Sequence, residues 1–189
     1  MIDIAAAIAE HQEAFAKISA LEPAMAAVAT EMTNTLKNGG KVLWMGNGGS
    51  AADSQHLAAE LMGRFMRERP SLASVALTTD TSVLTAIGND YGYELVFARQ
   101  IAGLCRPGDF VVGISTSGNS ENCILGLRKA REIGARTAVL VGKDGGKMKD
   151  EADHALIAPG PNTARIQECH IFIGHTICDW VEAACMPQG

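Results

Sequence analysis

The chain has no Cys-x-x-Cys pair, and its five cysteines, Cys105, Cys123, Cys169, Cys178 and Cys185, are odd in number. This argues against a thiolate zinc knuckle and against a framework of paired disulfides, and makes reduced thiols the default. Cys169 and Cys178 flank His170 and His175, but buried small hydrophobes are the favoured reading of such thiols over ligands. No apolar run approaches the ~18 residues that suggest a membrane span. The N-terminal Met-Ile-Asp-Ile lacks a basic region before its apolar residues, so no secretory leader is expected and the chain is placed in the cytoplasm. Positive charge is also scarce. A formal net charge of -5 and an isoelectric point near 5.5 give no global attraction for nucleic acid or an acidic membrane surface. An anionic ligand must therefore be held by local groups.

There is also no linker, internal repeat or low-complexity segment. With 189 residues, 47% apolar and 20% charged, the chain fits one globular domain spanning 1–189. In residues 1–38, Ile4, Ile8, Phe15, Ile18, Leu21, Met25, Val28, Met32 and Leu36 recur at mostly three- or four-residue intervals. That pattern predicts amphipathic helix, bent or broken at Pro23. After Gly39-Gly40, short apolar runs at 41–45, 74–77, 110–114, 137–141 and 154–158 alternate with helical patterns. The expected fold is α/β, an open five-stranded parallel sheet with helices on both faces. Arg106-Pro-Gly-Asp109 predicts a turn before the central strand, and Gly134 a helix end. The terminal helix, about 163–185, and the N-terminal one have two possible partners: the chain's own sheet or a neighbouring subunit.

Gly46-Asn-Gly-Gly-Ser50 falls where the first strand turns into the helix of residues 51–62. Glycines there let backbone approach a ligand, and free amides at a helix start attract anions. The alternative is an ordinary tight turn, with Ser50 and Asp53 forming a capping box. His56 and Glu60 share one face of that helix, a spacing that suits proton relay or metal binding but also describes a solvated surface pair. A second loop, Ile114-Ser-Thr-Ser-Gly-Asn-Ser120, follows the central strand and precedes a helix at 121–133. Its hydroxyls and amides can hold a phosphate without raising net charge, although Ser120 also fits a simple helix cap. Both loops fall at the carboxyl ends of strands, where open α/β sheets bind ligands.

Together with Gly88-Asn-Asp90, Gly142-Lys-Asp-Gly-Gly146, Arg165-Ile-Gln-Glu168 and His175, these segments resemble, in order and spacing, the phosphoheptose isomerases of the sugar isomerase (SIS) domain superfamily. The resemblance covers nearly the whole chain. It implies a flavodoxin-like three-layer sandwich and isomerisation of D-sedoheptulose 7-phosphate to D-glycero-D-manno-heptose 7-phosphate, an early step towards bacterial surface heptose. It further implies a cytoplasmic homotetramer with active sites shared between subunits. By matching position, Ser115, Thr116, Ser117 and Ser120 hold the phosphate. Asn47, Gly48, Gly49, Ser50, Asn89 and Asp90 line the sugar site, with Arg64 nearby and Gln167 touching substrate. Glu60 and His175 handle protons. Zinc-binding members use positions matching His56, Glu60, Gln167 and His175, although Gln is an unusual zinc ligand beside His and carboxylate. Where some members have an acidic residue before Arg-Ile-Gln, this chain has Ala164.

Moving a carbonyl between C1 and C2 requires removing a carbon-bound proton and returning it to the neighbouring carbon through an enediol. One group acts as base and another as acid. A carboxylate suits the carbon proton, and histidine, which titrates near neutrality, suits the oxygen proton. Spacing alone leaves the two roles exchangeable between Glu60 and His175. Gln167 and His175 stand about 80° apart around the terminal helix and can aim at one site from different turns. His170 is expected in the core, and His11 and His154 at the surface. One rival is a non-catalytic relative that binds the replication initiator DnaA, since Arg69-Pro-Ser-Leu72 and Leu84-Thr-Ala-Ile87 suit either group. Retention of Glu60, Ser117 and His175 favours the enzyme over that adaptor and over a sugar-phosphate sensor. An isomerase of another sugar phosphate is the remaining alternative.

Overall fold

The break in the N-terminal amphipathic segment falls before Pro23, not at it. In the computed structural model, which describes residues 3–186, helix α1 (Ile4–Ala16) gives way to a short 3-10 turn at Ile18–Leu21 before α2 (Glu22–Lys37) begins. Pro23 thus sits in the first turn of α2, where its missing N–H has no helical partner to lose. The bend expected at the proline is made instead by the 3-10 turn, with Ile18 buried beneath it.

Each of the five expected strands forms, and no end moves by more than one residue. They are β1 (Val42–Gly46), β2 (Ser74–Ala76), β3 (Phe110–Ser115), β4 (Arg136–Val141) and β5 (His154–Ile157). All pairings are parallel, in the order β2-β1-β3-β4-β5. Between them run α3 (Gly49–Met62), α4 (Thr81–Tyr91), α5 (Val96–Leu104) and α6 (Glu121–Ile133), and α7 (Thr163–Ala184) closes the chain. The alternation of side chains along each strand divides the core in two. Val42, Trp44, Val112 and Leu140 meet α2, α3 and α7 on one face, while Leu43, Met45, Val111 and Val139 meet α5 and α6 on the other. Burial on both faces is why the central strands read as continuous apolar runs. The terminal helices cover the chain's own sheet, and α1 and α2 both pack on α7.

At the amino ends of the strands, Asp109 is buried in the expected turn. Its carboxylate accepts the Lys41 and Arg106 amides and pairs with Lys41 Nζ at 2.6 Å. His154 is not a surface residue as expected. It is half-buried on the edge strand, with Nε2 3.1 Å from Glu31 Oε1. His11 is partly exposed and bonded to Glu168, and His170 is fully buried. Cys105, Cys123, Cys169 and Cys178 are buried free thiols, as small hydrophobes would be, and Cys185 is partly exposed.

The opposite, carboxyl ends of the strands position the site. The chain leaves β1 for α3 on one face of the sheet and leaves β3 for α6 on the other, although β1 and β3 are hydrogen-bonded neighbours. The crevice where two such connections diverge is the ligand position of open α/β sheets.

Candidate active site

The loop after β1 turns within two residues because Gly48 adopts φ 55, ψ -121, a conformation open to glycine. Helix α3 starts at Gly49 with no side-chain cap, so Ser50 and Asp53 do not form the capping box. Both are buried inside the helix. Asn47 faces α6, exchanging side-chain hydrogen bonds with Asn122 in both directions at 2.9 and 2.8 Å, and its Oδ1 also accepts Tyr93 OH at 3.1 Å. The two strand-end loops are thereby tied together.

In the second loop Ser115 Oγ lies 2.9 Å from Ser120 Oγ and 3.4 Å from Ser117 Oγ. Ser120 occupies the backbone cap position of α6 without capping it, which leaves its hydroxyl turned to Ser115. Thr116 presents its carbonyl to Gly142 of the next strand end. Three hydroxyls thus gather beside the start of α6.

One side of this crevice is formed by α3 and α7. His56 Nε2 stands 2.8 Å from His175 Nε2 and 3.2 Å from Glu60 Oε1. Ligand atoms from all three lie within 4.8 Å of one another. Atoms about 2.0–2.1 Å from a tetrahedral zinc stand roughly 3.3 Å apart, and two imidazoles with a carboxylate are a common zinc donor set, so these residues fit the ion. Burial and the neighbouring His56 lower the pKa of His175 while Glu60 opposes them, which favours the neutral, metal-binding ring. The Phe65 ring stacks on His175 with centroids 5.4 Å apart.

Gln167, earlier on α7, lies directly over Gly49. A Cβ on that glycine would come within 2.3 Å of Gln167 Nε2. Gln167 also approaches Asp53, whose carboxyl burial pushes above its usual range, with the Gln167 side chain and His56 drawing it back.

Three expected residues are not gathered with these groups. Asn89 and Asp90 are exposed on α4 and bond each other at 2.8 Å, and exposed Arg64 has Glu68 as its ion partner at 3.9 Å. Conversely, Asp53, Tyr93 and Asn122 enter the crevice without having been anticipated as ligand-facing groups. Each lies within three residues of a motif, Asn122 after Ser120, Asp53 after Ser50 and Tyr93 after Asp90.

The SIS domain family model matches residues 6–142. The phosphoheptose isomerase of Aquifex aeolicus (strain VF5) is 57% identical over 155 residues, 82% of this chain and 81% of that protein. The chain belongs to the SIS domain family, in its phosphoheptose isomerase group. The solved phosphoheptose isomerase GmhA of Neisseria gonorrhoeae superposes with a TM-score of 0.90 at 48% identity, covering 95% of this chain and 97% of that one. A second, from Francisella tularensis, gives 0.92 at 38% identity over 95% and 96% of the two chains. The single SIS domain and its parallel sheet are those of these enzymes.

Proposed function

We propose that this chain is a phosphoheptose isomerase that converts D-sedoheptulose 7-phosphate to D-glycero-D-manno-heptose 7-phosphate, in the cytoplasm, for bacterial lipopolysaccharide core or capsule. The relatives supply the substrate. The observation that carries the chemistry is the convergence of Glu60 and His175 from two different helices, of which α3 begins at the end of β1 beside β3 and its Ser/Thr loop. The DnaA adaptor reading finds no support, since the similar proteins named above are isomerases.

In this reading Ser115, Thr116, Ser117 and Ser120 hold the phosphate with the amides at the start of α6. Asn47, Gly48, Gly49 and Ser50 hold the sugar hydroxyls, whereas the exposed Asn89, Asp90 and Arg64 would enter a site only across a subunit boundary. Glu60 takes the C1 proton of the ketose and returns it to C2. His175 takes the proton leaving O1 and delivers it to O2, so that proton and charge balance across the enediol. Zinc held by His56, Glu60, His175 and Gln167 would supply Lewis-acid polarisation of the substrate carbonyl. Asn47, bonded to Asn122, keeps the sugar and phosphate loops at a fixed spacing.

Self-assembly to a homotetramer, with active sites completed between subunits, belongs to the same proposal. Trp180 and Phe172 are 50% and 36% exposed, and they line an apolar groove with Phe15, Ile18 and Met25. Exposed aromatic area of this kind suits burial against another copy. Among the described residues no helix is long and apolar enough to cross a membrane.

The test is turnover of D-sedoheptulose 7-phosphate by the purified protein against five- and six-carbon sugar phosphates, before and after chelation and zinc restoration. The heptose phosphate is the expected preferred substrate. Activity confined to a smaller sugar would overturn the assignment.

A further inference from the structure

Glu182 is a charged residue with no exposed surface, on the core side of α7. Its carboxylate accepts three consecutive backbone amides: Phe65 N at 2.7 Å, and Met66 N and Arg67 N at 2.8 Å each. Arg69 is equally buried, with Nε 3.4 Å from Glu182 Oε1. The rest of its guanidinium spans the end of α3, donating to Leu61 O at 2.9 Å, Gly63 O at 3.1 Å and Glu60 O at 2.8 Å. Arg69 therefore satisfies carbonyls that a helix end leaves without partners, including the carbonyl of Glu60 itself. Burial raises the Glu182 pKa, but the amides of Met66, Phe65 and Arg67 and the charge of Arg69 outweigh it and leave it below the usual carboxylate value.

A buried ion pair is a poor source of stability, because well-packed apolar side chains usually do as well. Its position suggests another use. Glu182 follows His175 by two helical turns on nearly the same face of α7, about 10 Å along the axis. The segment it holds carries Phe65, the ring stacked on His175. The pair thus grips the end of the helix bearing His56 and Glu60, the helix bearing His175, and the aromatic ring against that histidine.

We infer that Glu182 and Arg69 are positioning residues that set the approach of α3 to α7, and with it the convergence of His56 and Glu60 on His175. The inference rests on the assignment of those three side chains to the active site.

The experiment compares Glu182→Gln with Asp109→Asn, which removes a buried carboxylate of similar connectivity whose partners, Lys41 and Arg106, lie outside α3 and α7. Thermal stability, kcat, KM and zinc affinity by chelator competition are measured on the full chain. Both variants are expected to lose stability. Glu182→Gln alone is expected to lower kcat by tenfold or more with KM within about twofold, and to weaken zinc about tenfold, the scale on which small misplacements and lost outer contacts act. Kinetics and zinc affinity no worse than those of Asp109→Asn at an equal loss of stability would overturn the inference. If Glu182→Gln does not fold, Arg69→Lys, which keeps the cation without the fork, is judged by the same criteria. Absence of turnover in the unmodified protein would count against the isomerase reading alone, since the zinc comparison still tests the clamp.

Discussion

His56 Nε2 and His175 Nε2 lie 2.8 Å apart although 119 residues separate them in the chain. At that distance one ring nitrogen donates and the other accepts, and Glu60 stands within reach of the same nitrogen of His56.

Glu60→Gln and His175→Ala each remove one arm of the proposed proton transfer. Each is expected to lower kcat by about 10²–10⁴-fold, the usual contribution of a positioned acid or base. Groups acting as one unit are not additive, so the double variant is expected to be little worse than the poorer single one. Steady-state kinetics of all three variants decide this, and two independent losses that multiply would contradict a coupled pair.

Ser120→Ala removes a hydroxyl that stands 2.9 Å from Ser115 Oγ at the start of α6. A hydrogen bond to a charged group contributes roughly 1.5–3 kcal/mol, so KM is expected to rise about tenfold to hundredfold with a smaller change in kcat. An unchanged KM would remove Ser120 from the phosphate site.

Gly49→Ala places a methyl 2.3 Å from Gln167 Nε2 and 2.5 Å from its Oε1. Gly49 is the first residue of α3, and the atoms in the way are the free end of a side chain, so the fold tolerates alanine. Gln167 moves instead. The expected result is near-normal thermal stability with kcat/KM reduced about tenfold to hundredfold, and normal activity would show that Gln167 has no part in catalysis.

His170 is fully buried, and burial lowers its pKa from 6.5 to about 4, with the Val141 backbone opposing in part. The folded value lies below the unfolded one, so the unfolded chain takes up a proton that the folded chain refuses. Stability is therefore complete above pH 6.5 and falls as the pH drops towards about 4, by roughly 3 kcal/mol in all. Urea unfolding at several pH values measures the slope, which is expected to be shallower in His170→Leu.

The strands and the two ligand loops were legible in the sequence because each has a signature in residue type. Apolar runs of strand length between helical periods gave all five strands, and glycine or hydroxyl clusters at their ends marked the loops. Glu182 had no such signature. It looks like one more carboxylate on an amphipathic helix, and its partners are the backbone amides of Phe65, Met66 and Arg67, which carry no residue code. Asp53 was hidden by a local rule, since Ser50 three residues before it mimics a helix cap. His154 appeared exposed because edge-strand burial depends on α2, whose Glu31 reaches it across the fold. Pro23 was credited with a break that the neighbouring 3-10 turn makes, since proline is equally at home in the first turn of a helix.

The loops after β3 and β4 meet backbone to backbone at their glycines. A Cβ on Gly118 would stand 2.1 Å from Gly145 O, and one on Gly146 would stand 2.5 Å from Gly118 O. Asn119 Oδ1 accepts the Lys147 amide at 3.1 Å across the same seam. This side of the crevice has no room to acquire larger side chains, so it cannot be remodelled to admit a longer or shorter sugar. Any redesign of this crevice must therefore start from the side chains of its other walls.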